Sequence, residues 1–139
     1  MRNGLATLAL AAIVTLGPAG CTPVTNGTIT ATPSTDFELA LGESAIIEGS
    51  PLRIHFDSVT EDSRCPINVV CVWEGNATVR LSLDSAAKTQ TIDLRTSGGA
   101  PTVQAFGHTI ALRALRPVPT TSAQPRRDPY VATLHVTFP

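Results

Sequence analysis

The stretch Leu52-Arg53-Ile54-His55-Phe56-Asp57 alternates apolar and polar side chains at every second residue. Because successive side chains of a β-strand point to opposite faces, this pattern predicts a strand with one buried and one solvated face. The same alternation recurs along the chain, whereas a sustained helical stripe of apolar residues does not. The fold class is therefore expected to be all-β. The apolar positions of the other runs are Phe37, Leu39 and Leu41; Ala77, Val79, Leu81 and Leu83; Ile92 and Leu94; Ile110, Leu112 and Ala114; and Tyr130, Ala132, Leu134, Val136 and Phe138.

Turn-forming residues separate these runs at the spacing of a β-sandwich, and residues 36–139 are enough for one domain of ordinary size. We expect an antiparallel sandwich or a partly open barrel of six to eight strands. An immunoglobulin-like domain joins distant strands by a disulfide across its core. Here Cys65 and Cys71 lie in one loop, so that hallmark is absent and the topology stays open.

Residues 1–20 have the composition of a signal peptide, with a basic Arg2 and a short uncharged apolar run from Leu5 to Leu16. The small pair that precedes Cys21 resembles the lipobox of bacterial lipoproteins, although Pro18 stands where a leucine is usual. This resemblance implies that Cys21 is lipidated and anchors the chain to a membrane. The alternative is a secreted soluble protein in which Cys21 is removed or free.

Residues 21–35 are rich in threonine and proline and poor in large apolar side chains. Such a segment buries too little surface to offset its ordering entropy, so we expect a disordered tether.

The chain has three cysteines, and lipidation of Cys21 leaves Cys65 and Cys71 as a natural disulfide pair. Closing so small a ring contributes about 2 kcal/mol in the chain-entropy model. A disulfide is typical of an oxidising compartment, which agrees with export to the cell envelope.

The block Asp62-Ser63-Arg64-Cys65-Pro66, followed after four residues by Cys71-Val72-Trp73-Glu74-Gly75, is the most specific stretch of the chain. It resembles a set of uncharacterised bacterial lipoproteins with the pattern Asp-Ser-Arg-Cys-Pro-x4-Cys-x-Trp-x-Gly. The resemblance implies a shared type of domain and no particular activity. Gly75 is expected to adopt a backbone conformation that other residues avoid.

Three residues of this block are candidate binding residues: Arg64, Trp73 and Glu74. For Arg64 the structural interpretation is an ion pair with a neighbouring acid that stabilises the loop, and the functional one is an exposed contact. For Trp73 we favour packing on the core or the disulfide over a ligand platform.

Catalytic and metal-binding patterns are lacking. His55, His108 and His135 are expected to lie on the solvated surface, and no nucleophile elbow or Cys-x-x-Cys motif occurs. We therefore predict no enzymatic activity, no metal and no cofactor.

Basic residues concentrate in the second half of the chain, and acidic residues in the first. One interpretation is mutual charge complementarity of interleaved strands; the other is a basic patch that includes Arg126 and Arg127. Aromatic residues do not accompany these cations, so nucleic acid is not an expected partner.

These features together predict a monomeric, lipid-anchored domain of the bacterial cell envelope. Its loops at residues 62–76 and 117–129 would recognise an envelope protein or polymer, since loops on a rigid β scaffold commonly carry binding. The alternatives are a structural or accessory lipoprotein without a discrete ligand and a domain similar to a protease inhibitor.

Overall fold

The computed structural model describes residues 27–99, 101–121 and 129–139, and every regular element in these ranges is a β-strand. This part of the chain contains no helix long and apolar enough to cross a membrane. The strands, in chain order, are β1 (Thr28–Ala31), β2 (Asp36–Ala40), β3 (Ser44–Ile47), β4 (Leu52–Asp62), β5 (Ala77–Ser85), β6 (Lys88–Arg95), β7 (Thr102–Ala105), β8 (His108–Arg116) and β9 (Val131–Thr137).

The strands form two sheets that pack as a sandwich. The five-stranded sheet has the order β1-β3-β4-β5-β6, and the four-stranded sheet has the order β2-β9-β8-β7. Every pairing is antiparallel except that of β1 with β3. The predicted all-β sandwich is confirmed, and the sheets do not close into a barrel. The described residues form nine strands, one more than the upper limit expected from the sequence.

Three strands, β1, β3 and β7, lie outside the six alternating runs, and β1 lies inside the segment predicted to be a disordered tether. Thr28–Ala31 pairs in parallel with Ser44–Ile47, and Ala31 is buried in the core. The tether prediction is therefore wrong for these four residues. The composition of these residues does not predict that they are ordered, because it does not reveal the backbone hydrogen bonds that a neighbouring strand supplies. Residues 21–26 lie outside the described ranges.

The apolar positions of the alternating runs form the core between the sheets. Fully buried side chains include Leu39, Ile54, Phe56, Leu81 and Leu134. Three predicted inward positions are exposed: Ala114, and Leu41 and Phe138, which lie just beyond the ends of β2 and β9. At Ala114 the reason is a register shift in β8 that follows Leu112. This bulge leaves Ala114 exposed and turns Leu115 into the core.

The sandwich has two different ends. At the hairpin end, short turns connect β3 to β4, β5 to β6, and β7 to β8. At the disulfide end lie the long connections from β4 to β5 and from β8 to β9, together with the connection from β6 to β7. The residues of the β4–β5 connection, 63–76, are named the disulfide loop below.

Candidate functional site

The base of the disulfide loop is held by Arg64, which joins the two sheets. Its Nε and Nη2 donate to the two carboxylate oxygens of Asp62 at 2.8 and 2.9 Å. Its Nη1 donates to the carbonyl oxygen of Leu115 at 2.7 Å, and Nη2 also donates to that of Pro117 at 2.9 Å. The side chains of Arg64 and Asp62 are only 14% and 10% exposed. Arg64 therefore fastens the β4–β5 loop to the end of β8.

Asp62 has a further partner on the opposite sheet. The hydroxyl group of Tyr130 donates to Oδ2 of Asp62 at 2.9 Å. A half-buried carboxylate that accepts from a guanidinium group and a phenol is well satisfied, and charge-assisted hydrogen bonds of this kind are among the strongest in proteins. Asp62, Arg64 and Tyr130 are named the Arg64 clamp below.

Backbone hydrogen bonds extend the β4–β5 ladder into the loop. The amide of Ser63 donates to the carbonyl oxygen of Asn76 at 2.7 Å, and the amide of Cys65 donates to that of Glu74 at 3.0 Å. The Cys65–Cys71 disulfide then closes the ring beyond them. This pairing confirms the disulfide predicted from the cysteine count, and it is consistent with an oxidising, extracytoplasmic location.

Gly75 lies where the two arms of the loop come closest. Its φ is +71°, and a Cβ atom built on it would lie 1.9 Å from the carbonyl oxygen of Ser63. Only glycine fits both the backbone angle and this approach. The hydroxyl group of Ser97 also donates to the carbonyl oxygen of Gly75, so the β6–β7 connection supports the same point.

Beyond this base, the loop presents apolar side chains to solvent. No residue between Ile67 and Trp73 is charged. We name the five exposed apolar side chains of this segment the apolar apex. Their exposed fractions are 71% for Ile67, 44% for Val69, 102% for Val70, 90% for Val72 and 82% for Trp73.

 Exposed apolar patches on a folded domain mark contact surfaces. Val70, Val72 and Trp73 are the most exposed of the five.

The second long connection supports the apex from one side. The amide of Ile67 donates to the carbonyl oxygen of Pro119 at 3.1 Å, and the amide of Thr121 donates to Oδ1 of Asn68 at 3.1 Å. The side-chain amide of Asn68 also hydrogen-bonds the hydroxyl group of Thr121. Pro119 is buried. The apex is therefore tied to residues 119–121 as well as to its own base.

Two shallow cavities flank the base of the disulfide loop. One, of about 250 Å³, lies between Arg64, Glu74 and Ser97. The other, of about 350 Å³, lies between Pro117, Val118 and other residues at the edge of β8 and β9. The second cavity is largely apolar in its lining residues, so it extends the apolar surface of this end beyond the apex.

The residues predicted from the block have different roles. Arg64 forms the ion pair with Asp62 that the structural interpretation predicted, and it is not an exposed contact. The favoured interpretation of Trp73 is wrong, because its side chain projects into solvent instead of packing on the core or the disulfide. Glu74 is exposed beside the apex. Cys21, Arg126 and Arg127 lie outside the described residues, so their predicted roles stay predictions.

Two of the basic residues in the second half of the chain pair with acids of the first half. Nη2 of Arg116 lies 2.6 Å from Oε1 of Glu38, and Nε of Arg113 lies 3.8 Å from Oδ1 of Asp36. Both pairs connect β8 with β2 across β9, which lies between these two strands in the four-stranded sheet. For these residues the interpretation as charge complementarity is confirmed.

His108 is not at the solvated surface, in contrast to the prediction. It is buried at the hairpin end, where Nδ1 lies 2.8 Å from the carbonyl oxygen of Phe106 and Nε2 lies 2.9 Å from Oγ of Ser50. Because a carbonyl can only accept, Nδ1 carries a proton, and in the neutral ring Nε2 then accepts from the Ser50 hydroxyl group. Oγ of Ser50 in turn accepts from the amide of Leu52 at 3.1 Å. The pair links the two sheets.

A serine beside a histidine can also be the start of a catalytic site. A cavity of about 200 Å³ borders His108, but Ser50 is not among its lining residues. The Ser50 hydroxyl group is occupied by the imidazole and by a backbone amide, so this geometry is that of a structural link. Within residues 27–99, 101–121 and 129–139, no group of three or more histidine, cysteine, aspartate or glutamate side chains is arranged to hold a metal ion.

The chain matches no family model, no curated protein and no solved structure.

The apolar apex was not identified from the sequence, although a signal for it was present. Val69-Val70-Cys71-Val72-Trp73 is an apolar run between turn-forming residues, and the alternation that predicts a strand is absent from it. The ring closed by Cys65 and Cys71 is too small to form a pair of strands that could cover this run. Exposure of its apolar side chains was therefore the expectation that this stretch supported. The partners of Arg64 at Leu115 and Pro117 had no comparable signal, since they are backbone carbonyl groups distant in the chain.

Proposed function

We propose that this chain is a non-catalytic binding domain of the bacterial cell envelope, anchored through lipid on Cys21, which makes its contacts through the apolar apex of the disulfide loop. The lipobox-like residues before Cys21 and the disulfide between Cys65 and Cys71 support the location. The exposed apex supports the binding role. Residues 117–121, which belong to the predicted recognition loop at 117–129, support the apex and are part of the same surface.

One observation carries the proposal: five apolar side chains project from a loop that is held in place by groups other than themselves. The Arg64 clamp, the close approach at Gly75 and the disulfide hold the base. Val70, Val72 and Trp73 bury little surface and contribute little to folding. Apolar side chains that do not stabilise the fold yet occupy a fastened loop are suited to binding, because little conformational entropy remains to be lost there.

Photo-crosslinking in intact cells tests the proposal. A photoreactive amino acid replaces Val70 in one variant and Ile46 in a control variant; Ile46 is an exposed apolar residue of β3, away from the disulfide end. Irradiation is expected to yield adducts from position 70 and few from position 46. The absence of adducts with protein, polymer or lipid from position 70, in a variant that folds, would leave a structural or accessory lipoprotein as the better explanation.

Two further variants separate the parts of the proposal. Replacing Cys65 and Cys71 together with serine should reduce crosslinking from position 70, because the loop loses the bond that closes its ring. Replacing Cys21 with serine should release the protein from the membrane fraction. If the Cys21 variant fractionates as the wild-type protein does, the lipid anchor is excluded while the binding surface is still tested by the crosslinks.

A domain similar to a protease inhibitor is the second candidate. The observation in its favour is Val70, which is fully exposed within a ring closed by a disulfide. Such a side chain could occupy the specificity pocket of a protease that cleaves after small aliphatic residues. Inhibition of an elastase-like protease by the wild-type protein, and its loss with Val70→Asp, would support this candidate; a protease panel without inhibition would exclude it.

A further inference from the structure

We infer that the apolar apex inserts into the interfacial region of the lipid bilayer that carries the anchor on Cys21. This inference rests on the proposed function, in which Cys21 is lipidated and the apex is the contact surface. It names the partner of that surface as lipid instead of protein.

The composition of the apex favours lipid. Three of its five side chains are valines, one is isoleucine and one is tryptophan. Tryptophan, tyrosine and arginine are enriched among the residues that dominate the binding energy of protein interfaces, and valine is under-represented. Only Trp73 of the apex belongs to the enriched group, while three of the five side chains are valines. Aliphatic residues beside a tryptophan are typical of segments at the boundary between membrane and water, because the indole ring is most stable at the level of the headgroups.

The backbone of the loop limits how deeply it can insert. Irregular backbone is not stable in the hydrocarbon core, since its polar groups have no water to bind. In the disulfide loop several amides already have partners, including Cys65 with Glu74, Ile67 with Pro119 and Val69 with Pro66. Insertion of the side chains into the outermost part of the bilayer, about 5–10 Å deep, is compatible with this arrangement.

The N-terminal end of β1 points toward the side of the sandwich that carries the apex. Thr28 pairs with Ser44, which pairs with His55, and the chain before Thr28 leaves the sheet toward the end of β4. His55 pairs with Ser82 of β5, and the disulfide end of that strand begins five residues away at Ala77. At about 3.3 Å per residue, Thr28 therefore lies about 17 Å from this end of the sandwich.

The chain between the anchor and the sheet is long enough to cover that distance. Cys21 precedes Thr28 by seven residues, and a chain of this length reaches at most about 23 Å. A lipid on Cys21 therefore allows the disulfide end, and with it the apex, to contact the membrane surface. By the same register Thr28 is about 10 Å from the hairpin end, so the direction in which the chain leaves the sheet at Thr28, and not its length, favours the disulfide end.

The fluorescence of Trp73 provides the test, because it is the only tryptophan of the chain. The exported, lipidated protein is reconstituted into phosphatidylcholine vesicles, with and without doxyl-labelled lipids. Emission from Trp73 is expected to shift to shorter wavelength, to be quenched by the doxyl groups and to be shielded from aqueous acrylamide. Phosphatidylcholine carries no net charge, so an electrostatic contribution is excluded.

Matched variants identify the side chains responsible. Val70→Asp and Val72→Asp should each lower the ratio of inserted to free loops about tenfold, because each loses the burial of a valine side chain. Ile46→Asp is the control, since Ile46 is also an exposed apolar residue but lies on β3. It should leave the quenching of Trp73 unchanged. Unfolding midpoints of the three variants show whether the fold is retained.

The outcomes separate this inference from the proposed function. Trp73 that stays accessible to acrylamide and unquenched by doxyl lipid in the lipidated protein would overturn the inference. Shielding that occurs only after an envelope protein is added would also overturn it, in favour of a protein partner, while the proposed binding role would stand. Mass spectrometry of Cys21 reports separately on the lipid anchor, and an unmodified cysteine would contradict that part of the proposed function.

Discussion

The two ends of the sandwich connect the strands and link the two sheets in different ways. At the hairpin end, short turns connect neighbouring strands, and the buried pair of Ser50 and His108 links the sheets. At the disulfide end, long connections are held by the charged Arg64 clamp and carry exposed apolar side chains. Both ends stabilise the contact between the sheets, but only the disulfide end also presents a surface that the fold does not use.

The difference teaches which interactions allow a loop to be both long and ordered. A short turn has little conformational freedom to lose, so a neutral hydrogen bond is enough to complete the hairpin end. A loop of more than ten residues loses far more freedom and needs strong, multiple anchors at its base. Because those anchors are polar and lie at the base, the side chains at the tip are left free for contact.

The largest effect is expected where backbone approaches backbone at the disulfide end. Gly75→Ala should lower the free energy of unfolding by about 4 kcal/mol, because strain at positive φ combines with displacement of the Ser63 carbonyl group. Gly49→Ala is the matched control at the hairpin end. Its φ is +73°, but a Cβ there meets nothing within 4 Å, so about 1 kcal/mol is expected. Equal losses in urea denaturation would show that the close approach is unimportant.

The next effect concerns the Arg64 clamp. Arg64→Ala should cost about 3 kcal/mol, because it leaves the half-buried Asp62 carboxylate and the Leu115 and Pro117 carbonyl groups without their donor. The measurement is urea denaturation, accompanied by loss of protection of loop amides in hydrogen exchange. Arg80→Ala removes a similar arginine-aspartate pair from an exposed sheet face and should hardly change the midpoint. A comparable loss in both variants would mean that the clamp is no stronger than a surface ion pair.

A smaller effect is expected for the link at the hairpin end. His108→Ala should cost about 2 kcal/mol, because it removes the hydrogen bonds to Ser50 and to the carbonyl group of Phe106 and the contact with the Phe138 ring. Ser50→Ala should cost about 1 kcal/mol, because it removes only the bonds of its hydroxyl group to His108 and Leu52. In a double-mutant cycle measured by urea denaturation, the two losses should be less than additive, since both remove the same bond. Full additivity would show that Ser50 and His108 act independently.

The smallest effect is the pH dependence of the exposed pair. The hydrogen bond from Arg80 lowers the pKa of Asp93 below its usual range, against a weaker opposing effect of burial. Since the folded protein then binds a proton less readily than the unfolded chain, the pair stabilises the fold above the ordinary pKa of aspartate and loses this contribution as the pH falls through the lowered value. Asp93→Asn should thus differ from the wild-type protein in its unfolding midpoint at neutral pH and converge with it in acid. A difference independent of pH would contradict the assignment.

Much of the fold could be predicted because its main signal is local. The alternation in Leu52, Ile54 and Phe56 predicts a buried face whatever the neighbouring strands are, and all three side chains are buried. The disulfide could be predicted because the cysteines are few and close in the chain. The burial of Leu115 in place of Ala114 could not, because the bulge in β8 depends on pairing with β9.

The candidate site was harder to predict than the fold. Arg64 was identified correctly as an ion-pairing residue because Asp62 is two positions away. The sequence predicts that Trp73 packs on the core or the disulfide, because a buried tryptophan contributes a large apolar surface. The small disulfide ring has no apolar surface against which the indole ring could pack, and Trp73 is exposed. The sequence predicts a surface position for His108 because it is an isolated imidazole at the start of a strand, and its partner Ser50, 58 residues away, gives no local signal for burial.

The sequence by itself determined the all-β class, the inward faces of the main strands and the closure of the disulfide loop, because each depends on residues that are neighbours in the chain. The tertiary structure alone decided that β1 joins the sheet, that Arg64 binds the carbonyl groups after β8 and that the apolar apex faces solvent. These features depend on which distant segments lie side by side. Hydrogen bonding and burial are properties of that arrangement, and no single segment contains them.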